Sequence, residues 1–93
     1  MFDGVHRSIA GLPGMLERTV TVSSVSKSYA MTGWRCGWAI GPPDLGSHLR
    51  KMALINLYGL PGFVMEAADI ALREGAEEIE KARAIYRARR DLG

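Results

Sequence analysis

Cys36 is the only cysteine among 93 residues, which excludes an intramolecular disulfide and a cysteine-built metal site and suits a reducing, cytoplasmic setting. No apolar run approaches the length needed to span a bilayer, and no signal-peptide pattern opens the chain, so neither a membrane partner nor export is expected. A formal net charge of +2 is too small to argue for a nucleic-acid partner. His6 and His48 lack a second histidine or a carboxylate at ligand spacing, so no metal site is expected. No internal repeat is present. With 47% hydrophobic and 24% charged residues the composition is ordinary, which excludes disorder and low complexity and leaves a globular piece of one domain at most.

What is present concentrates in the stretch from Ser24 to Gly37. It sets Lys27 in a small, hydroxyl-rich loop and Arg35 eight residues on, with β-type runs on either side. A lysine attacks a carbonyl only while part of its amine is deprotonated, which calls for burial or nearby positive charge. Arg35 is the cation at hand. Arginine also forks bidentately onto phosphate oxygens, and Ser24 and Ser26 add neutral donors at close range. Such a set suits a ligand with an aldehyde at one end and a phosphate at the other, and pyridoxal phosphate is the common cofactor of that description.

Ser24-x-x-Lys27 followed by Ala30-Met31-Thr32-Gly33-Trp34-Arg35-x-Gly37 resembles the lysine-attachment motif of the class I aminotransferases, which are fold type I pyridoxal phosphate enzymes. His6-x-Ser8-Ile9-Ala10-x-Leu12-Pro13-Gly14-Met15 and Glu17-Arg18-Thr19-Val20-Thr21-Val22 resemble the same family. Tyr58-Gly59-Leu60-Pro61-Gly62-Phe63 resembles the branch that includes arginine:pyruvate transaminases. The likeness runs over essentially the whole chain and departs at Cys36, where the family usually has an aliphatic residue that a small buried thiol can replace.

The resemblance implies an α/β fold: an internal fragment, residues 1–93, of the large cofactor-binding domain, in which Met1 need not be a natural start. On that reading the pyridine-contacting aspartate and a tyrosine lie upstream, and the arginine that grips the substrate carboxylate lies downstream. It implies pyridoxal 5'-phosphate held as an internal aldimine on Lys27, with Ser24, Ser26 and Arg35 around the phosphate. Amino-acid and 2-oxo-acid substrates and a homodimeric full-length protein follow from the same likeness. A lyase or synthase on this fold, or a truncated, non-catalytic remnant, are the alternatives, since reaction type is set by residues outside this stretch.

Periodicity supplies the coarse architecture: two adjacent antiparallel strands followed by about three helices. Residues 1–17, with Gly4, Gly11, Pro13 and Gly14, read as a surface connector with one short turn. Thr19 to Ser23 alternates β-branched residues and reads as a strand, and Trp34 to Ile40 reads as a second one, halted by Gly41-Pro42-Pro43. Their connection is too short for a parallel crossover. Pro43 and Asp44 open a helix to about residue 57, with Leu45, Leu49, Met52 and Ala53 on one face. Phe63, Ala67, Ile70 and Ala71 mark a second helix ending near Gly75. Ile79, Ala82 and Tyr86 mark a third over about 76–93, which by resemblance begins the helix leading to the small domain.

Plainer readings stand beside these. Lys27 alone reads as a solvated loop lysine and Arg35 as a surface-strand arginine, and both readings yield only to the spacing of the full motif. Ser24 and Ser26 either contact phosphate or satisfy loop backbone. Tyr29 and Trp34 read as packing residues, with Trp34 and Trp38 on one face of a regular strand. Cys36 reads as inert core. Arg83, Arg87, Arg89 and Arg90 read as a solvated helix face. Tyr58 either lines the site of a partner subunit or ends a helix.

Overall fold

β-branched and small residues on both sides of the loop pair into a ribbon in the computed structural model, which describes residues 2–93. Strand β1 (Thr21–Ser24) runs antiparallel to β2 (Gly37–Ile40), with Thr21 opposite Ile40 and Ser24 opposite Gly37. Both strands are shorter than the alternation predicts. Trp34 closes a 3-10 turn over Thr32–Trp34, its N–H donating to the Met31 carbonyl at 3.2 Å. Arg35 then takes a left-handed conformation (φ 53, ψ 35) that turns the chain into β2. Trp34 therefore stands off the strand and does not share a face with Trp38.

Three helices follow: α1 (Pro43–Asn56), α2 (Gly62–Glu74) and α3 (Ala76–Leu92). Proline at the first helical position and Asp44 in the first turn favour the start of α1. It closes where the Leu57 N–H donates to the Ala53 carbonyl at 2.8 Å. Tyr58 thus lies beyond the helix, at φ 57 and almost fully exposed. The connector at residues 2–20 holds two 3-10 turns, Ile9–Gly11 and Leu16–Arg18, one more than expected.

The core is small and sits where α2 meets the base of the turn, at Val25 and Cys36 just beyond the strands. Val25, Cys36, Val64 and Ala68 are buried, and Tyr29, Met31, Trp38 and Leu60 pack against them. Cys36 is a free, buried thiol, as its plain reading has it. The inward face of α2 is thus Val64 and Ala68, with Ala67 and Ala71 half-buried, while Phe63 and Ile70 of the expected stripe point outward. The sequence pattern is degenerate here, because Met65 and Leu72 make the other side of α2 apolar as well. Small side chains allow the close approach to Val25, and that selects the face. On α3, Ile79 and Ala82 are half-buried, and Tyr86 is exposed.

The basic face of α3 is not merely solvated. Arg87 donates to Asp3 at 3.0 Å and to the Phe2 carbonyl, Arg90 donates to Asp3 at 2.8 Å, and the Arg90 guanidinium lies 4.9 Å from the centre of the Phe2 ring. This clip fastens the start of the connector to the end of the chain. The hydrogen bond from Arg90 holds the Asp3 carboxyl below its ordinary value of 3.8. A carboxylate whose pKa is depressed on folding stabilises the clip above the unfolded value and loses that contribution as pH falls through the folded one. Carboxyl chemical shifts of Asp3 are therefore expected to titrate below 3.8, and Arg90→Ala is expected to move the midpoint back up. Equal midpoints in the two proteins would show that the clip does not form.

Candidate functional site

The turn between the strands hangs from Val25, which is fully buried. The Val25 N–H donates to the Cys36 carbonyl at 3.2 Å, and the Val25 carbonyl accepts from the N–H groups of Tyr29 (3.3 Å) and Met31 (3.4 Å). Lys27 rides at the middle of that turn, where its carbonyl accepts from the Ala30 N–H at 3.3 Å and its side chain is exposed. Ala30 and Arg35 both adopt left-handed backbone, at φ 54 and φ 53. For residues with a Cβ this costs about 1–2 kcal/mol each, and such strain gathers at functional sites.

Ser24, Ser26 and Arg35 converge. All three line one open cleft of about 620 Å³ between the ribbon and α1, which contributes Leu49, Arg50 and Ala53. The Ser26 N–H donates to Ser24 Oγ at 3.3 Å, so Ser24 does satisfy loop backbone. Its hydroxyl retains a proton to donate, since a serine oxygen both accepts and donates. Lys27 does not line this cleft, although it neighbours Ser26 in the chain. The site residues are therefore grouped as three donors in the cleft and one amine on the adjoining turn.

Three residues that support this grouping escaped the sequence reading. Thr32 donates its hydroxyl to the Ser26 carbonyl at 3.0 Å and accepts at its own carbonyl from Arg35 Nη1 at 3.2 Å, so it ties the two cleft residues together. Gly37 faces Ser24 so closely that a Cβ there would stand 2.8 Å from the Ser23 carbonyl oxygen and 3.2 Å from Ser24 Cβ. Arg50 adds a second cation to the cleft wall. Thr32 and Gly37 lie within the motif, but nothing in their spacing reveals the contacts. Arg50 carries no local signal, because only folding brings α1 to the ribbon.

Two hydroxyls and a guanidinium form a donor set that fits a phosphate. The site residues thus fit a phosphate-bearing cofactor. Among the described residues no cluster of histidine, cysteine and carboxylate suited to a metal is present, and no helix is long and apolar enough to cross a membrane.

Residues 2–92 match the family described as aminotransferase class I and II. The chain is 54% identical over 92 residues to an arginine–pyruvate transaminase of Pseudomonas aeruginosa, covering 99% of this chain and 23% of that protein. It is 43% identical over 89 residues to an aspartate aminotransferase of Musicola paradisiaca, covering 92% and 22% respectively. A Pyrococcus protein of known crystal structure superposes with a TM-score of 0.89 at 39% identity, over 97% of this chain and 24% of that one. The chain therefore spans about a quarter of the length of the relatives it matches.

Proposed function

The chain belongs to the class I and II aminotransferases, and from that premise we propose that it is part of the large, cofactor-binding domain of a pyridoxal-phosphate-dependent enzyme that moves an amino group between an amino acid and a 2-oxo acid. The convergence of Ser24, Ser26 and Arg35 on one cleft beside the Lys27 turn carries this reading. When bound, pyridoxal phosphate supplies an electron sink for the substrate α-carbon. The protein residues do the rest. Arg35 would hold the phosphate with its guanidinium, and the Ser24 and Ser26 hydroxyls would donate to the same group. Lys27 would hold the cofactor through its Nζ, a primary amine that condenses with an aldehyde with loss of water, and once freed would serve as the base for the proton on the substrate α-carbon.

Two further assignments belong to this proposal. We take α3 as the start of the helix leading to a small domain, since none of its residues is buried against the rest of the chain. We take the full-length protein to be a cytoplasmic homodimer. Ile55, Leu57, Tyr58 and Phe63, exposed around the α1–α2 link, offer an apolar surface for such an interface.

Borohydride reduction of the full-length protein with pyridoxal phosphate tests the assignment. The phosphopyridoxyl mass is expected on the peptide containing Lys27, and finding it on Lys51 or Lys81 instead would overturn the reading.

Arg35→Lys is expected to weaken cofactor binding without a matching loss of stability, because a point charge replaces a bidentate fork. Loss of one charged hydrogen bond is worth about 1.5–3 kcal/mol, or roughly ten- to a hundredfold in affinity. Equilibrium titration of the apoprotein with pyridoxal phosphate measures it. Unchanged affinity would make Arg35 a structural residue that only bonds Thr32.

A further inference from the structure

Lys27 is exposed and lines no wall of the phosphate cleft, so the place of its amine is set by what holds the turn on either side of it. Two residues earlier the anchor is Val25, fully buried. Two residues later stands Tyr29. Its ring lies against the junction of α2 and α3, where a Cβ built on Gly75 would stand 2.9 Å from Tyr29 Cε1 and 3.0 Å from Cδ1, and 2.5 Å from the Ala71 carbonyl oxygen. The junction has room for the ring only because residue 75 has no side chain. Around this contact the turn and the helices otherwise part, leaving a cavity of about 470 Å³ lined by Ser28, Ala30 and Met31 on one side and Ile79 and Ala82 on the other. The ring is therefore the strut on that side of the turn.

We propose that Tyr29, seated on Gly75, is a positioning residue that holds the Lys27 turn against the α2–α3 junction and so presents the Lys27 amine to the cofactor. The inference rests on the aminotransferase reading above. It assigns the seat to the ring and not to the hydroxyl, because the ring carbons make the contact. Losing the strut removes the turn's contact with the α2–α3 junction and leaves it held at its base by Val25, Met31 and the Thr32–Ser26 hydrogen bond, and a misplaced nucleophile loses reactivity steeply with small displacements.

The test uses the full-length apoprotein in four forms: Tyr29→Phe, Tyr29→Ala, Gly75→Ala and the double variant Tyr29→Ala with Gly75→Ala. Tyr29→Phe is expected to match wild type. Tyr29→Ala and Gly75→Ala are each expected to weaken pyridoxal phosphate binding by roughly tenfold, or about 1.4 kcal/mol. Each is also expected to shift the pH midpoint of the bound cofactor's absorbance and to speed amide hydrogen exchange in residues 25–31 while leaving 43–56 unchanged. Gly75→Ala is expected to add less to the loss in the Tyr29→Ala background than in wild type. Should Tyr29→Ala fail to fold, Tyr29→Leu, which keeps apolar bulk and lacks the ring edge, is read the same way. Wild-type affinity, midpoint and exchange in the ring-deleted variant would overturn the proposal, as would exchange rising equally in 43–56. A borohydride label absent from Lys27 in the wild type would instead overturn the aminotransferase reading, and the exchange comparison would still decide the seat.

Discussion

Lys27→Ala in the full-length protein is expected to abolish transamination and the borohydride-fixed label while leaving the apoprotein folded. On the proposed roles of Lys27, two contributions vanish together: the amine that bonds the cofactor and the base that moves the α-proton. Proton transfer by a positioned side chain alone is worth about 10²–10⁴ in rate, so at least that loss is expected in single-turnover measurements. Stability follows a different course. Lys27 is exposed and its side chain contributes nothing to the Val25–Val64 core, so the substitution belongs with surface changes of about 0.5 kcal/mol or less. The comparison is made between apoproteins, because a bound cofactor raises the melting temperature by mass action and would make the variant look unstable. Turnover persisting in Lys27→Ala would remove the lysine from the chemistry, and a collapsed apoprotein would give it a structural role.

The sequence was most legible where a single period governs. The turns at Gly41-Pro42-Pro43 and Tyr58-Gly59-Leu60-Pro61 delimit α1 to within a residue or two, and the short link between the β-type runs dictates antiparallel pairing. The candidate site was proposed from a spacing: Ser24, Ser26 and Arg35 share one cleft, while Lys27 stands outside it on the adjoining turn. Period and spacing fail where one residue breaks the local geometry. A left-handed Arg35 shortens β2 by a turn and detaches Trp34 from Trp38, and no propensity scale anticipates a left-handed arginine. They fail again where partners are distant in sequence. Asp3 finds Arg87 and Arg90, and Tyr29 finds Gly75, through tertiary packing that a one-dimensional pattern does not encode. On α2 both sides are apolar, so the choice of Val64 and Ala68 is made by fit against Val25 and not by hydrophobicity.

Expressed alone, the 93-residue chain is expected to self-associate or to remain loosely packed, and to show no transaminase turnover. Its accessible surface is 7860 Å² for 10.2 kDa, where a folded monomer of that mass exposes about 5300 Å². Its radius of gyration is 16.1 Å, against about 12 Å for an independent domain of this length. The excess is apolar in large part: Ile55 is 79% exposed, Phe63 69% and Leu57 68%. A two-stranded ribbon does not stand alone in water without further strands or a covering helix, and here, among the described residues, the buried contact with α2 is limited to Val25, Cys36, Val64 and Ala68 with a few half-buried neighbours. An exposed area of this kind is removed by association with other copies or by loss of fixed packing. Light scattering coupled to gel filtration, followed by thermal melting at several concentrations, separates these outcomes from a stable monomer. Weak, Lys27-dependent capture of pyridoxal phosphate is compatible with either outcome, since the cleft and the turn are local to the ribbon. Catalysis is not: among the described residues no acidic group lines the cleft, so none of them would hold a proton on the pyridine nitrogen, on which the electron sink depends. A concentration-independent, cooperative melt of a monomer with measurable transamination would overturn both the stability argument and the proposal that this chain is one part of a larger enzyme.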